Sequence, residues 1–388
     1  MDTLNIGTFT GFKAVEPTLT DWKAGAETGI LDTPINPSGD WRTDLPTDET
    51  QLMKATNGQS YGDTECCTNF SSTNVCEIYL NYLISQNKVP QAALDFLKNN
   101  GYYDSNGKIN FSDRFDAYVS GTTTASGNSL PAVWQAKRTY GLAPESAWPM
   151  PTAQFDALVA KGGFTAPQDF WNIYFTKPPQ TAYDIAQEFL NFFEPQYEWI
   201  AYTGAAATSS ALQNALTVGP LQIATAVCNG WNTANPIQAC GAGTAHATTL
   251  LNVEPATAYD IYDHYSPFQK RFAIDYTISW AMRGILVPLT TPTVITYPAP
   301  AGFTHTFSTQ LDFGLTSPEV VALQNALKLD GDFPLTVQST GYFGSVTQIA
   351  LEKFQTKYGI ASSGTPTTTG YGRVGPKTIA KLNLHPWG

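Results

Sequence analysis

Charge is scarce in this chain. Of 388 residues, only 14% are Asp, Glu, Lys or Arg, against roughly 25% in ordinary soluble proteins. The surface must instead use Thr, Ser, Asn, Gln and Gly, which suits an extracellular or virion-borne protein. Basic residues are scarcer than acidic ones, 21 against 32, for a net charge of −11. That balance argues against general affinity for nucleic acid or anionic lipid. No apolar run approaches the length of a membrane span. The opening MDTLNIGTFTGFK has no apolar segment behind a basic start, so no signal peptide is expected. Histidine occurs four times, which leaves few groups for acid–base work near neutral pH. Cysteine occurs five times. One free thiol with two pairs, or five free thiols, both fit an odd count. Cys228 and Cys240 flank a loop and are the best disulfide candidates.

What is present is enough to build a large core. The chain is 42% hydrophobic and 13% aromatic, and its length suits two domains, or one domain and a module. Residues 1–38 are rich in Thr, Gly and Pro and read as an extended arm. A main domain spans 39–287. Residues 288–310, rich in Pro and Thr, read as a linker. A small unit fills 311–388. Within the main domain, helical periodicity marks residues 90–99, 131–140, 151–161, 181–195 and 209–216. Alternating patterns follow at 221–227, 246–253 and 258–263. Helices first and antiparallel strands later is an α+β order.

The stretch from Gln59 to Ser85 organises the rest. A polar loop leads to Cys66 and Cys67, and a helix follows at once. Phe70, Val75, Ile78, Tyr79, Tyr82 and Leu83 recur at helical spacing, which predicts one buried face. Asp63 and Thr64 are the expected caps. Cys67 then falls in the first turn, where unpaired N–H groups and the positive helix end favour a thiolate. The thiolate is the nucleophilic form. The ordinary alternative is that Cys66, Cys67 and Cys76 are buried thiols or disulfide partners.

Such a nucleophile needs an imidazole, and the imidazole needs an orienting group. His305 falls in the linker and His385 near the end of the sequence. His264 follows Asp263. His246 begins a strand after the small-residue run CGAGTA, where a side chain can face a cleft, or can make an ordinary hydrogen bond at the strand edge.

Several runs now resemble motifs of the papain-like cysteine peptidases. Cys67-Thr68-Asn69-Phe70 resembles the Cys-Trp-Ala-Phe run that opens the central helix there. Asp40-Trp41-Arg42 looks like the family's Asp-Trp-Arg, and Phe111-Ser112-Asp113 its Leu-Ser-Glu. The run from Gly141 to Pro149 is similar to Gly-Leu-x-x-Glu-x-x-Tyr-Pro. Gly219-Pro220-Leu221 resembles Gly-Pro-Val. Cys240 to His246 reproduces a Cys-Gly-(x4)-His-Ala spacing, and Ile261 to Tyr265 stands in the place of Ile-Lys-Asn-Ser-Trp. The resemblance covers about 40–285. It implies a two-lobe fold, a helical lobe before an antiparallel β lobe. It implies Cys67 as nucleophile, with Cys66 as the other candidate and Phe70 favouring Cys67. His246 becomes the acid/base, and Asp263 takes the orienting place usually held by Asn. Gln59 is the implied oxyanion donor, two residues further from the cysteine than in the family. Asn128-Ser129, before Leu130 and Pro131, replaces the Gly-Gly of the substrate-binding wall. The separation from Cys67 to His246 exceeds the roughly 130–150 residues usual in the family. An aromatic helical insertion around 155–200 accounts for the excess.

The last unit has its own pattern. Ser317 and Pro318 open one helix, Ser345 to Tyr358 forms a second, and Val374 to Asn383 a third. The phrases GYFGSVT and VGPKT echo each other as a pseudo-repeat. Leu-Gln, Phe-Gly-x-x-Thr, Phe-Gln and Gly-x-x-Thr together resemble the three-helix peptidoglycan-binding domain of cell-wall hydrolases. This unit carries six basic and five acidic residues, against fifteen and twenty-seven elsewhere, so it lacks the acidity that would oppose docking to an anionic wall.

The expected protein is a cysteine endopeptidase delivered to bacterial peptidoglycan, cutting wall peptides or nearby surface proteins. No cofactor or metal is expected. Expected locations are extracellular or virion-associated, with the N-terminal arm free to join a phage or surface assembly. The alternative is an inactive papain-like structural or binding part of such an assembly.

Overall fold

The computed structural model describes residues 11–17, 23, 33–54, 60–122, 127–160, 167–202, 206–240, 245–290, 299–335, 337 and 339–384. These fall into two compact units, 1–292 and 293–388.

In the first unit, a short antiparallel pair, β1 (Leu52–Lys54) and β2 (Ser60–Asp63), precedes the long helix α1 (Cys67–Ser85). Helices α2 (Gln91–Asn99), α3 (Asp113–Val119), α4 (Leu130–Tyr140), α5 (Thr152–Ala160), α6 (Pro167–Tyr174) and α7 (Gln180–Phe189) follow. Then come β3 (Phe193–Ala201), α8 (Ser209–Leu216), β4 (Leu221–Ala226), β5 (Ala245–Glu254), β6 (Ala258–Tyr262), β7 (Gln269–Ala273) and β8 (Trp280–Pro288). Strands β3 to β8 form one antiparallel sheet in the order β3-β8-β4-β5-β6-β7. The fold is α+β, helices leading and the sheet following.

Helix α1 departs from the expected amphipathic pattern. From Cys67 to Asn81 it is buried on every side, lodged between β4, β5 and β8 and helices α3 and α4. A helix enclosed all round must satisfy its polar side chains internally. Gln222 of β4 donates to Thr68 O (2.7 Å) and Ser71 Oγ (2.9 Å). Thr249 of β5 donates to Ser71 O. Lys137 of α4, fully buried, pairs with Asp116 at 2.7 Å and donates to Ser72 Oγ. The short polar residues of this helix are thus its anchors.

The expected caps are also displaced. Cys66 occupies the N-cap position, with no side-chain bond to the helix. Asp63 Oδ1 accepts from Glu65 N and Thr64 Oγ1 from Cys66 N; both side chains fold the preceding turn instead. The helix expected over 181–195 ends at Phe189, and Pro195 lies in β3. This strand is at the sheet edge, where a residue without an N–H is tolerated.

Trp41, fully buried, pins the segment ahead of β1 by donating from Nε1 to Leu216 O at 2.8 Å. Beside α1, four carboxyls gather: buried Glu77 and Asp113, with Glu49 and Glu145 half-buried around them. Burial first, and mutual repulsion second, pushes Glu77 and Asp113 well above the ordinary carboxyl range.

The second unit holds α9 (Pro318–Leu329), α10 (Ser345–Lys357) and α11 (Pro376–Leu384). Ser317 caps α9 by accepting from Val320 N. The pseudo-repeat is a repeated clamp. Gln324 donates to Tyr342 O and Thr347 Oγ1 and accepts from Gly341 N. Gln355 does the same with Arg373 O, Thr378 Oγ1 and Gly372 N. Both glutamines are buried.

Candidate active site

Cys67 is the first residue of α1, so its N–H has no partner within the helix. Its side chain is 1% exposed. His246 sits near the start of β5, whose register places it opposite Thr225 of β4. Asp263 follows β6 directly. His246 Nε2 lies 2.9 Å from Asp263 Oδ1, and the Cys67 side chain is near enough to help raise the pKa of the His246 ring. Cys67 is thus brought from the first helix to the pair of His246 and Asp263.

Electrostatics favour an imidazolium in this group. Burial opposes charge on the His246 ring, but the Asp263 carboxylate, and then Cys67, outweigh it and raise its pKa to about 9. Burial likewise opposes charge on Asp263, yet Lys270 and His246 hold its carboxyl far below the usual range. Sequence reasoning missed two of the groups that hold Asp263. Trp231 Nε1 and Lys270 Nζ each donate to Asp263 Oδ2 at 2.8 Å. Nothing in the local pattern marks them. The only signal was that a buried Asp must have donors.

Cys66 points elsewhere, into an apolar cluster with Phe70, Phe155, Phe170 and Tyr174. Burial raises its thiol well above the ordinary range, and it donates to Thr64 O. Cys76 is buried and free, and Cys228 and Cys240 are joined in a disulfide.

The chain itself lies against Cys67. Phe12 forms a parallel bridge with Asn128. Lys13 N donates to Asn128 O (2.7 Å) and Asn128 N to Gly11 O (3.0 Å). A Cβ built on Gly11 would stand 2.6 Å from Cys67 Sγ. The backbone of Asn128, in the expected substrate wall, is thereby used. Its side chain is turned to Ser120 O and Thr122 Oγ1. Ser129 is buried, Leu130 is sealed in the main core, and Pro131 is half-buried in the first turn of α4. Gln59, the expected oxyanion donor, lies outside the described residues, as does His385.

His246, Asp263 and His264 offer ligand atoms within 4.8 Å of one another. They do not suit a cation: His246 and Asp263 face each other, and the Lys270 ammonium already occupies the second carboxylate oxygen. His305, expected in a linker, pairs with Glu319 at 2.9 Å.

No curated protein matches the sequence. Among solved structures, the chain is similar to xylellain, a cysteine protease from Xylella fastidiosa, at 16% identity and TM-score 0.46, covering 72% of this chain and 97% of that one. It is also similar to procathepsin B S9 from Trypanosoma congolense, at 11% identity and TM-score 0.45, covering 74% and 90%. A third is digestive procathepsin L 3 of Tenebrio molitor larval midgut, at 11% identity and TM-score 0.42, covering 72% and 77%. No helix of the described residues is long and apolar enough to cross a membrane. Residues 316–382 match the family model of a peptidoglycan binding domain, so the chain carries that domain in its C-terminal unit.

Proposed function

We propose that the first unit is a cysteine endopeptidase and that the C-terminal unit holds it to bacterial peptidoglycan. Its substrates are then stem or cross-bridge peptides of the wall, or proteins at the wall surface. The observation that supports this best is the gathering of Cys67 with the pair of His246 and Asp263, with the sulfur at a helix start.

In this reading the Cys67 thiolate attacks a scissile carbonyl carbon. The oxyanion takes a hydrogen bond from the Cys67 N–H. The His246 imidazolium gives its proton to the leaving amine, which departs and leaves a thioester. His246, now neutral, takes a proton from water, whose oxygen attacks the thioester and releases the acid. Asp263 fixes the ring through Nε2 and stabilises its charge. Residues 11–17 hold the enzyme latent, because Gly11 stands where a substrate must approach the sulfur. A secreted lysin and a virion-borne lysin both fit this assignment.

Full-length protein and its Cys67→Ala variant should be compared on purified sacculi and on labelled wall peptides. Loss of cleavage with retained sacculus binding is expected in the variant. Undiminished cleavage by Cys67→Ala would overturn the catalytic assignment. Equal sacculus binding by the chain shortened to residues 1–292 would overturn the role given to the second unit.

A further inference from the structure

Asp263 is a fully buried carboxylate with more cationic company than an orienting group requires. His246 Nε2 is at its Oδ1, while Trp231 Nε1 and Lys270 Nζ are at its Oδ2. Lys270 is itself sealed in, with a side chain 2% exposed. Its ammonium also donates to the backbone oxygens of Tyr265 and Pro267. The β6–β7 register sets Lys270 opposite Ile261, and β7 is the last strand of the sheet. A lysine on an edge strand ordinarily runs out to water. This one turns inward and gives up its hydration.

We propose that Lys270 is a positioning residue that cancels the Asp263 charge and thereby lets Cys67 ionise beside His246. The inference rests on reading Cys67 and His246 as the reacting pair. Its logic is a charge count inside a site of low dielectric. With thiol, imidazolium, carboxylate and ammonium present, the cluster carries +1, and losing the thiol proton brings it to zero. Without the ammonium, the same step takes the cluster from zero to −1, which burial resists. An Asn at position 263 needs no ammonium, because thiol plus imidazolium again counts +1. Asp263 and Lys270 are thus a matched pair: both charged, or both replaced by neutral groups, gives the same balance.

The other titratable groups facing this cluster do not alter the count between variants. His264 is packed against the rings of His246, Tyr265 and Phe70, and burial drives it down to about 3, so it stays neutral. Burial raises the Tyr265 phenol and the Cys66 thiol, which stay protonated. Asp63 of β2 reaches the cluster through the Tyr265 hydroxyl, which donates to it at 2.5 Å, and burial shifts its carboxyl upward. Asp63 is common to every variant.

The test is a four-cornered set of full-length proteins: the parent, Lys270→Met, Asp263→Asn and the double variant. The readouts are the pH dependence of Cys67 alkylation by iodoacetamide and of kcat/KM on a labelled peptide. Lys270→Met should move the acidic limb upward by about one pH unit or more, a tenfold change in thiolate at fixed pH. Asp263→Asn should move it downward, and the double variant should return it close to the parent. An unmoved limb in folded Lys270→Met overturns the inference. So does a double variant that tracks Lys270→Met. Should Lys270→Met fail to fold, the double variant is expected to fold, since no lone carboxylate remains; a double variant equally unfolded overturns the inference. Residual cleavage by Cys67→Ala would instead defeat the reading of the reacting pair.

Discussion

Gly11 and Cys67 stand so close that a single added carbon on the glycine would lie 2.6 Å from the sulfur. The backbone around Gly11 is bonded to Asn128 on the other side. Gly11 is therefore closely fitted between the Asn128 backbone and the Cys67 sulfur, and under the proposed function this is where latency would be released.

Replacing Gly11 with Val should push residues 11–17 away from Cys67. A loss of only about 1.4 kcal/mol in their docking corresponds to a tenfold shift in the open population. The expected result is faster Cys67 alkylation and faster peptide cleavage, each by roughly tenfold. Slower alkylation, or no change, would contradict the blocking role. The same substitution at Gly375, where a side chain meets nothing and the backbone is not left-handed, is the control.

Cleavage should fall as pH rises through about 9, where the His246 ring loses its proton. Below that pH the raised ring pKa keeps the imidazolium present. His246→Ala should cost about 100-fold or more in kcat/KM, the usual contribution of a positioned acid or base. A profile flat to pH 10.5 would remove His246 from the mechanism.

The carboxyls around Glu77 make a prediction about stability. Their folded pKa values are raised by burial and by one another. A raised carboxyl contributes stability that is full below its unfolded pKa and is lost as pH rises through its folded pKa. Glu77 also accepts from Phe111 N at 2.8 Å, a bond an amide oxygen can keep. Glu77→Gln should therefore raise Tm at pH 8 more than at pH 4.5. The reverse ordering in thermal melts would refute this.

In the second unit, Gln324→Ala and Gln355→Ala each strand buried backbone groups. Each should cost about 1–3 kcal/mol, the cost of leaving such partners unmet. Binding of the full-length protein to sacculi should weaken on heating at a lower temperature in each variant. Unchanged melting of the second unit would remove the clamp from its fold.

The order Cys67, His246, Asp263 is legible in the sequence because each lies in a run with a recognisable neighbourhood. Lys270 and Trp231 are not, because only strand register and the loop closed by the Cys228–Cys240 disulfide bring them to Asp263. The strand β3 is hidden for a different reason. Its aromatic residues continue the apolar stripe of α7, so a helix is expected to run on to 195. The burial of α1 on all sides is hidden by its Ser, Thr and Asn residues, which look like a solvated face until Gln222, Thr249 and Lys137 are placed beside them. Gln324 and Gln355, by contrast, each stand 23 residues before the threonine that ends one of the two echoing phrases, and their clamps repeat accordingly.

The enclosure of α1 has a mechanical corollary. Side chains from β4, β5 and α4 bolt the nucleophile's helix to its surroundings at Thr68, Ser71 and Ser72. A sulfur carried on so rigid a mount cannot swing toward its target. Under the proposed function, admission would come from withdrawal of the thin strip of chain laid across it, and the threshold for turning the protein on would be set by a few backbone hydrogen bonds and one residue with no side chain.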